Sequence, residues 1–295
     1  MQISFFDDNP IAKTLFKIAL FASLLIYFTS CSGNLFSELA TKDSDAAILF
    51  QIKIHLSKKE YTQAESLFST LSAAKQAERD VLFLQASAYA GLCGLDFLAF
   101  SESFSSIGTT LFLKFLMQQF NGVTAASVTN CKSAESTLLT IGSTAATRTD
   151  DENVLMVFLQ FAKIGAILNL YADTDDDGSA DVGFDACSTG SLTDEEAGNI
   201  ATGIHHLTDS MAKVSSIIDV GESGSGVLTQ ACTDLETLLG ATFNFCAVTD
   251  PTALTADQQR AVRSVIGESG VIGIGSCTDG SGGLDGVQPG GCICP

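Results

Sequence analysis

Positive charge is scarce in this chain of 295 residues, in which 15 lysines and arginines stand against 34 aspartates and glutamates. The formal net charge of −19 repels phosphate backbones and anionic lipid headgroups alike. Nucleic acid is therefore not an expected partner, and a charged face is not the expected route to a membrane. Charged residues make up only 17% of the chain and apolar residues 46%, which argues against extensive disorder and leaves enough material for a large core.

Catalytic motifs are lacking as well. The segment nearest to Gly-x-Ser-x-Gly is Gly221-Glu-Ser-Gly-Ser225, in which the last glycine is displaced and no strand precedes. The glycines of Gly273-Ile-Gly275 lack the strand, turn and helix that a nucleotide site needs. His205 and His206 point about 100° apart on a predicted helix, so they cannot share a metal ion, and His55 is isolated. We predict no enzyme activity; a hydrolase with a concealed site is the weakest alternative.

The chain begins with the pattern of a secretory signal. Lys13 and Lys17 precede an apolar run over 18–30 that is short for a membrane span, and small residues follow it. The residues Phe28-Thr29-Ser30-Cys31 resemble the lipobox of bacterial lipoproteins. This resemblance implies cleavage after residue 30 and acylation of Cys31, with palmitate or a similar chain. An uncleaved signal anchor and an ordinary signal peptide are the alternatives.

The resemblance also implies a location. Two or more acyl chains hold a protein stably on a membrane, whereas a single chain does not. Ser32 is similar to the outer-membrane sorting pattern of these lipoproteins. We therefore expect a lipid anchor in the cell outer membrane, with the periplasmic face favoured over the cell surface.

Cysteine usage fits an exported protein. With Cys31 acylated, an even set of eight cysteines remains, which indicates up to four disulfides. We expect Cys93 to pair with Cys131 and Cys232 with Cys246. Cysteines two positions apart seldom bond to each other, and we expect Cys187 and Cys277 to pair with Cys292 and Cys294. Eight cysteines allow 105 pairings, so the sequence leaves the connectivity open. The alternative of a thiolate metal site lacks the paired CxxC spacing.

Apolar residues recur at helical spacing through 45–266, which predicts an all-α domain. Tyr61-x-x-Ala64-x-x-x-Phe68 resembles the second helix of a tetratricopeptide repeat (TPR), and Ala64 to Ala99 is about one repeat length. The resemblance implies antiparallel helical hairpins, first around residues 45–71 and again around 81–104. An irregular helical bundle fits the same pattern equally well.

Further helices are predicted along the rest of this domain, over 109–120, 133–141, 153–171, 193–218, 228–239 and 255–267. The helix over 153–171 is apolar almost all round, which predicts a central core helix, and Lys163 near its middle argues against a membrane span. The resulting organisation is a signal peptide over 1–30, a tether over 31–44, the helical domain over 45–266 and a glycine- and cysteine-rich tail over 267–295. We expect the tail to gain its order from disulfides and not from burial.

One segment carries ligand chemistry. Residues 173–185 supply carboxylates at loop positions 1, 3, 5 and 9 and glycine at position 6, the spacing of a calcium loop. The candidate ligands are Asp173, Asp175, Asp177, Ser179 through its carbonyl, Asp181 and Asp185. Position 12 is Phe184 rather than glutamate, so the loop resembles the aspartate-rich calcium repeats of secreted proteins more than a calcium sensor. The alternative is a solvated acidic turn.

These features predict a non-catalytic lipoprotein that binds or scaffolds a protein or peptide in a groove between helices, stabilised by Ca²⁺ and disulfides. The alternative is a periplasmic carrier of an apolar small molecule, loosely similar to the TPR-like lipoproteins associated with TRAP-type transporters. In that case a set of phenylalanines would line a cavity: Phe97, Phe100, Phe104, Phe112, Phe115 and Phe120. The simpler interpretation of these phenylalanines is core packing.

Overall fold

A computed structural model describes residues 43–104, 110–215, 236–237, 240–269, 272–276 and 293–294. The chain divides into two compact units, Met1–Phe50 and Gln51–Pro295. Only residues 43–50 of the first unit are described, as the start of a helix, and the elements beyond residue 50 belong to the second unit. Several predicted features lie outside the described residues: the signal peptide, Cys31, most of the tether and most of the helix over 228–239.

The regular structure of the described residues is entirely helical, which confirms the predicted all-α fold. It comprises ten α-helices and a 3₁₀ turn at Ala241–Phe243. The helices are α1 (Asp45–Ser57), α2 (Tyr61–Phe68), α3 (Ala73–Gln76), α4 (Arg79–Leu92), α5 (Phe97–Phe104), α6 (Phe112–Gln118), α7 (Ala125–Ile141), α8 (Asp150–Ala172), α9 (Asp194–Val214) and α10 (Ala256–Gly267).

Helix α8 is the central element, as its apolar sequence predicts. It packs against α6, α7 and α9, and 17 of its 23 residues are buried. It begins three residues before the predicted start because Thr149 and Glu152 form a capping box, each side chain accepting the other residue's backbone N–H. Among the described helices, α8 has the length and hydropathy of a membrane span, as does the bent pair α4–α5 if taken together. The burial of α8 against other helices is typical of a core helix.

Helix α7 is longer than predicted, since it begins at Ala125 and not near residue 133. Its serines and threonines, which are typical of a loop, cap the first turn or donate to carbonyls one turn back. The hydroxyl of Thr124 accepts the backbone N–H of Ser127 and so caps the helix, and the hydroxyl of Thr129 donates to the carbonyl of Ala125. The hydroxyl groups are thus satisfied within the helix while Val128 and Cys131 are buried in the core.

The second predicted hairpin is wrong. Helices α4 and α5 are bent by 60° at their junction, which is a kink and not the reversal of an antiparallel pair. The break lies at Gly94, whose φ of 105° is open to glycine and costly for other residues. Helix α2 does pack on α4, with the Tyr61 ring lying so close to Gly91 that a Cβ there would be 2.4 Å from the ring.

The first part of the carboxyl-terminal tail packs in the core, so the expectation that burial plays no part there is wrong. Ile272 and Ile274 are buried. The backbone N–H of Leu113 donates to the carbonyl of Ile272 at 2.7 Å, which satisfies a free donor at the start of α6. The buried carboxylate of Glu268 accepts the N–H groups of Ile272 and Gly273 at 2.8 and 3.1 Å.

Two of the predicted disulfides are confirmed. Cys93, which follows α4, bonds to Cys131 of α7, and Cys187 bonds to Cys294 across a sequence separation of 107 residues. Cys246 is also disulfide-bonded. The cysteines expected to complete the remaining pairs, Cys232, Cys277 and Cys292, lie outside the described residues.

Candidate functional site

The acidic loop begins at Asp173, the residue that directly follows the central helix α8. Asp173 caps the carboxyl end of α8, and its side chain is buried. The chain then turns tightly, because Asp176 and Gly178 both take positive φ, at 58° and 81°. The turn brings the N–H of Gly178 to 3.1 Å from a carboxylate oxygen of Asp173. Asp181 closes the loop by donating its own N–H to the carbonyl of Ala172 at 2.6 Å.

Three of the predicted ligands are brought together. One carboxylate oxygen each of Asp173, Asp175 and Asp177 lies within 4.8 Å of the others. Asp175 and Asp177 are exposed to solvent, whereas Asp173, the third member of the group, is buried. Among the residues that the structure describes, no other group of three Asp, Glu, His or Cys side chains lies close enough together to share a metal ion.

The other predicted ligands are occupied differently. Asp181 accepts the hydroxyl of Thr174 at 2.6 Å and its backbone N–H at 3.2 Å, so it braces the start of the loop. Asp185 accepts the N–H of Cys187 at 2.9 Å. Ser179 donates its N–H to Asp177 at 2.8 Å. Neither Asp181 nor Asp185 belongs to the group of three, which is smaller than the six-residue set that the spacing predicts.

Three residues outside the predicted set hold the loop in place. The amide of Asn169, one turn earlier on α8, donates to Asp176 at 3.0 Å and more weakly to Asp173. Gln118 at the end of α6 donates to the carbonyl of Gly178 at 2.7 Å. The N–H of Gly122 donates to Asp176 at 2.9 Å. The signal for Asn169 is visible in the sequence as one of the few polar residues of an apolar helix, whereas no local pattern marks Gln118 or Gly122.

Asp173 lies where a negative charge is disfavoured. Burial raises the pKa of Asp173, the N–H groups of Gly178 and Asp177 oppose that rise, and the nearby Asp177 carboxylate adds to it. In addition, Asp173 stands at the carboxyl end of a 23-residue helix, where the helix dipole disfavours negative charge. Oxygen-only donors of this kind suit hard cations such as Ca²⁺.

A second polar cluster lies in the interface of α7, α8 and α9. Lys163 is fully buried, and its ammonium group lies 2.5 Å from the carboxylate of Glu135. The Nε2 atom of buried His206 lies 3.9 Å from the same carboxylate, and its Nδ1 atom has no hydrogen-bond partner among the described residues. Burial lowers the pKa of His206 to about 4. The packed helices α7, α8 and α9 enclose these groups.

The remaining histidines, His205 and His55, make local contacts. His205 lies beside His206 with its Nδ1 atom 2.8 Å from the carbonyl oxygen of Cys246. His55 pairs with Glu60 at 2.6 Å. Across the described ranges, none of these side chains joins a set of metal ligands.

Comparison with protein-family models, with curated proteins and with solved structures gives no match for this chain.

Proposed function

We propose that this chain is an exported lipoprotein that acts as a non-catalytic binding or scaffold module, with a structural calcium ion in the loop after α8. The lipid on Cys31 anchors it in the cell outer membrane, facing the periplasm. Disulfides and the ion brace a helical domain that presents its surface to a protein or peptide partner.

The observation that carries the calcium part is the convergence of three carboxylates on the carboxyl end of the central helix, one of them buried. Like charges at this spacing repel one another, and the helix end adds further negative potential. A divalent cation removes both costs. Asp173, Asp175 and Asp177 would hold it through carboxylate oxygens, with the Ser179 carbonyl as a further donor. Extracytoplasmic sites of this type bind in the range of roughly 10⁻⁴ to 10⁻³ M.

Calorimetric titration of the oxidised, chelator-treated protein with CaCl₂ tests this assignment. We expect one binding event that Asp177→Asn weakens by about tenfold or more, because a ligand is lost from a site of few charges. Asp185→Asn is the matched control: it removes an exposed aspartate of the same segment that lies outside the group of three. Binding that survives Asp177→Asn, or that is lost equally in Asp185→Asn, would refute the ligand set.

The anchor is supported by the lipobox resemblance at Phe28-Thr29-Ser30-Cys31 and by the oxidised cysteines of the described domain, which suit an oxidising compartment. Metabolic labelling with palmitate, combined with membrane fractionation, is the test. We expect label in the parent chain and none in Cys31→Ser, which should leave the membrane fraction. An unlabelled parent chain, or a Cys31→Ser variant that fractionates like the parent, would refute the proposed lipid anchor.

The binding surface is proposed at the start of α5. Phe97 and Leu98 are 46% and 68% exposed, a pair of adjacent large apolar residues in contact with water. A partner recovered by crosslinking in cells should be lost in Leu98→Glu. The control Val182→Glu changes a fully exposed apolar residue elsewhere and should retain the partner. Retention of the partner by Leu98→Glu would rule out this surface.

The alternative of an apolar carrier has less support. Phe100, Phe112, Phe115 and Phe120 are buried, and the ring of Phe100 lies between 5.3 and 6.1 Å from those of Phe115, Phe120, Phe158 and Phe161. Such mutual contacts are typical of a filled aromatic core. Native mass spectrometry of the purified protein would revive the carrier if an organic ligand co-purified.

A further inference from the structure

The two described disulfides differ in their access to solvent. Cys93 and Cys131 are fully buried, within the core that α4 and α7 share. Cys294 is also buried, but its partner Cys187 is partly exposed, in the turn after the acidic loop. Thiol–disulfide exchange requires a thiolate to reach one sulfur of the bond. The Cys187–Cys294 bond therefore offers an approach from solvent that the other bond lacks.

The two sides of this bond are held very differently. On the Cys187 side, buried Arg263 of α10 donates to the carbonyls of Ala186 and Leu192, both at 2.9 Å, and to Asp194 at 2.8 Å. These contacts fix the turn without help from the disulfide.

On the Cys294 side, the described contacts are few. The N–H of Cys294 donates to the hydroxyl of Ser264 at 2.9 Å, and its carbonyl accepts from Arg260 at 3.0 Å. Two hydrogen bonds of this kind contribute little once the covalent link is gone. Breaking the bond thus leaves the turn in place and frees residue 294 from α10.

We propose that Cys187–Cys294 is a reductant-sensitive clasp that holds residues 293–294 on α10 and opens under a dithiol while the helical core stays folded. A dithiol thiolate attacks the sulfur of Cys187, and Cys294 leaves as a thiolate that takes a proton from water. The second dithiol thiolate then displaces Cys187. The disulfide gains two electrons, and the dithiol becomes a cyclic or intramolecular disulfide.

Stepwise reduction of the full-length oxidised protein with dithiothreitol, quenched by alkylation and read by peptide mass spectrometry, tests the clasp. We expect label on Cys187 and Cys294 at reductant concentrations that leave Cys93 and Cys131 unlabelled, with the far-ultraviolet circular dichroism unchanged. Simultaneous labelling of both pairs, or earlier labelling of Cys93 and Cys131, would overturn the proposal.

A variant separates the clasp from general destabilisation. Cys187→Ser with Cys294→Ser should keep the helical spectrum and a cooperative melt, and hydrogen exchange should rise at the amide of residue 294 while α8 stays protected. Loss of the helical fold in this double variant would show that the bond is a structural requirement and would refute the clasp.

Discussion

Neutralising Glu135 gives the sharpest test of how the core is built. The ammonium group of Lys163 is fully buried at the centre of α8 and has the Glu135 carboxylate at 2.5 Å as its counter-charge. The hydroxyl of Thr202, at 3.4 Å, is a weaker second partner. Burial lowers the pKa of Lys163, and Glu135 opposes that shift without cancelling it. Glu135→Gln keeps the shape of the side chain and leaves the cation without its counter-charge.

The expected loss of stability is large. Removing one partner of a buried ion pair costs about 3 to 5 kcal/mol, because the remaining charge is desolvated without compensation. A domain with an unfolding free energy of roughly 5 to 15 kcal/mol would lose a substantial part of it. Replacing both groups, with Glu135→Leu and Lys163→Met together, should restore stability to about the parent value or higher, because no buried charge is left.

Urea unfolding of the oxidised protein at pH 7, monitored by circular dichroism, measures these differences. Glu195→Gln is the matched control, since Glu195 also pairs with a lysine, Lys132 at 3.1 Å, but is mostly exposed. That change should cost less than about 1 kcal/mol. If Glu135→Gln costs no more than Glu195→Gln, water reaches Lys163 and the interface of α7, α8 and α9 is not a dry core.

Two further changes probe the same packing. Burial lowers the pKa of His206 from 6.5 to about 4, so the unfolded chain binds a proton at this residue before the folded chain does as the pH falls. The free energy of unfolding should therefore drop by up to roughly 3 kcal/mol between pH 6.5 and pH 4. In urea unfolding measured across this range, His206→Phe should remove most of that drop. A Cβ on Gly198 would lie 2.0 Å from the carbonyl oxygen of Pro251, so Gly198→Ala should lower the free energy of unfolding by about 1 to 3 kcal/mol, measured by thermal unfolding. Gly190→Ala is the control: a Cβ there would meet only the Ser188 hydroxyl, at 3.4 Å, and stability should hardly change.

The central helix and its capped start could be predicted from the sequence. The apolar residues of α8, broken only at a few polar positions, predict a core helix, and its carboxylates at the start predict the capped end. The pairing of Cys93 with Cys131 agrees with the expected one, although the sequence alone leaves the connectivity of eight cysteines open. The extent of α7 could not be predicted, because its many hydroxyl residues resemble a loop until their hydrogen bonds within the helix are seen.

Other features depend on contacts between distant residues, which no local pattern contains. Ile272 in the glycine-rich tail is buried, and its carbonyl accepts the N–H of Leu113, about 160 residues earlier in the chain. At the acidic loop, the spacing correctly brings Asp173, Asp175 and Asp177 together. Asp181 lies outside that group, and its carboxylate accepts the hydroxyl and the N–H of Thr174. Spacing indicates which side chains can meet, and local donors decide which of them do.

The melting temperature of the oxidised protein, measured with excess chelator and again in about 10 mM CaCl₂, tests the calcium assignment most directly. A site with a dissociation constant of roughly 10⁻⁴ to 10⁻³ M stabilises the folded state by about 1.4 to 2.7 kcal/mol at that concentration. For a unit of this size, we predict a rise of roughly 3 to 10 °C, and no rise in Asp173→Asn. An unchanged melting temperature in the parent chain would contradict the calcium site.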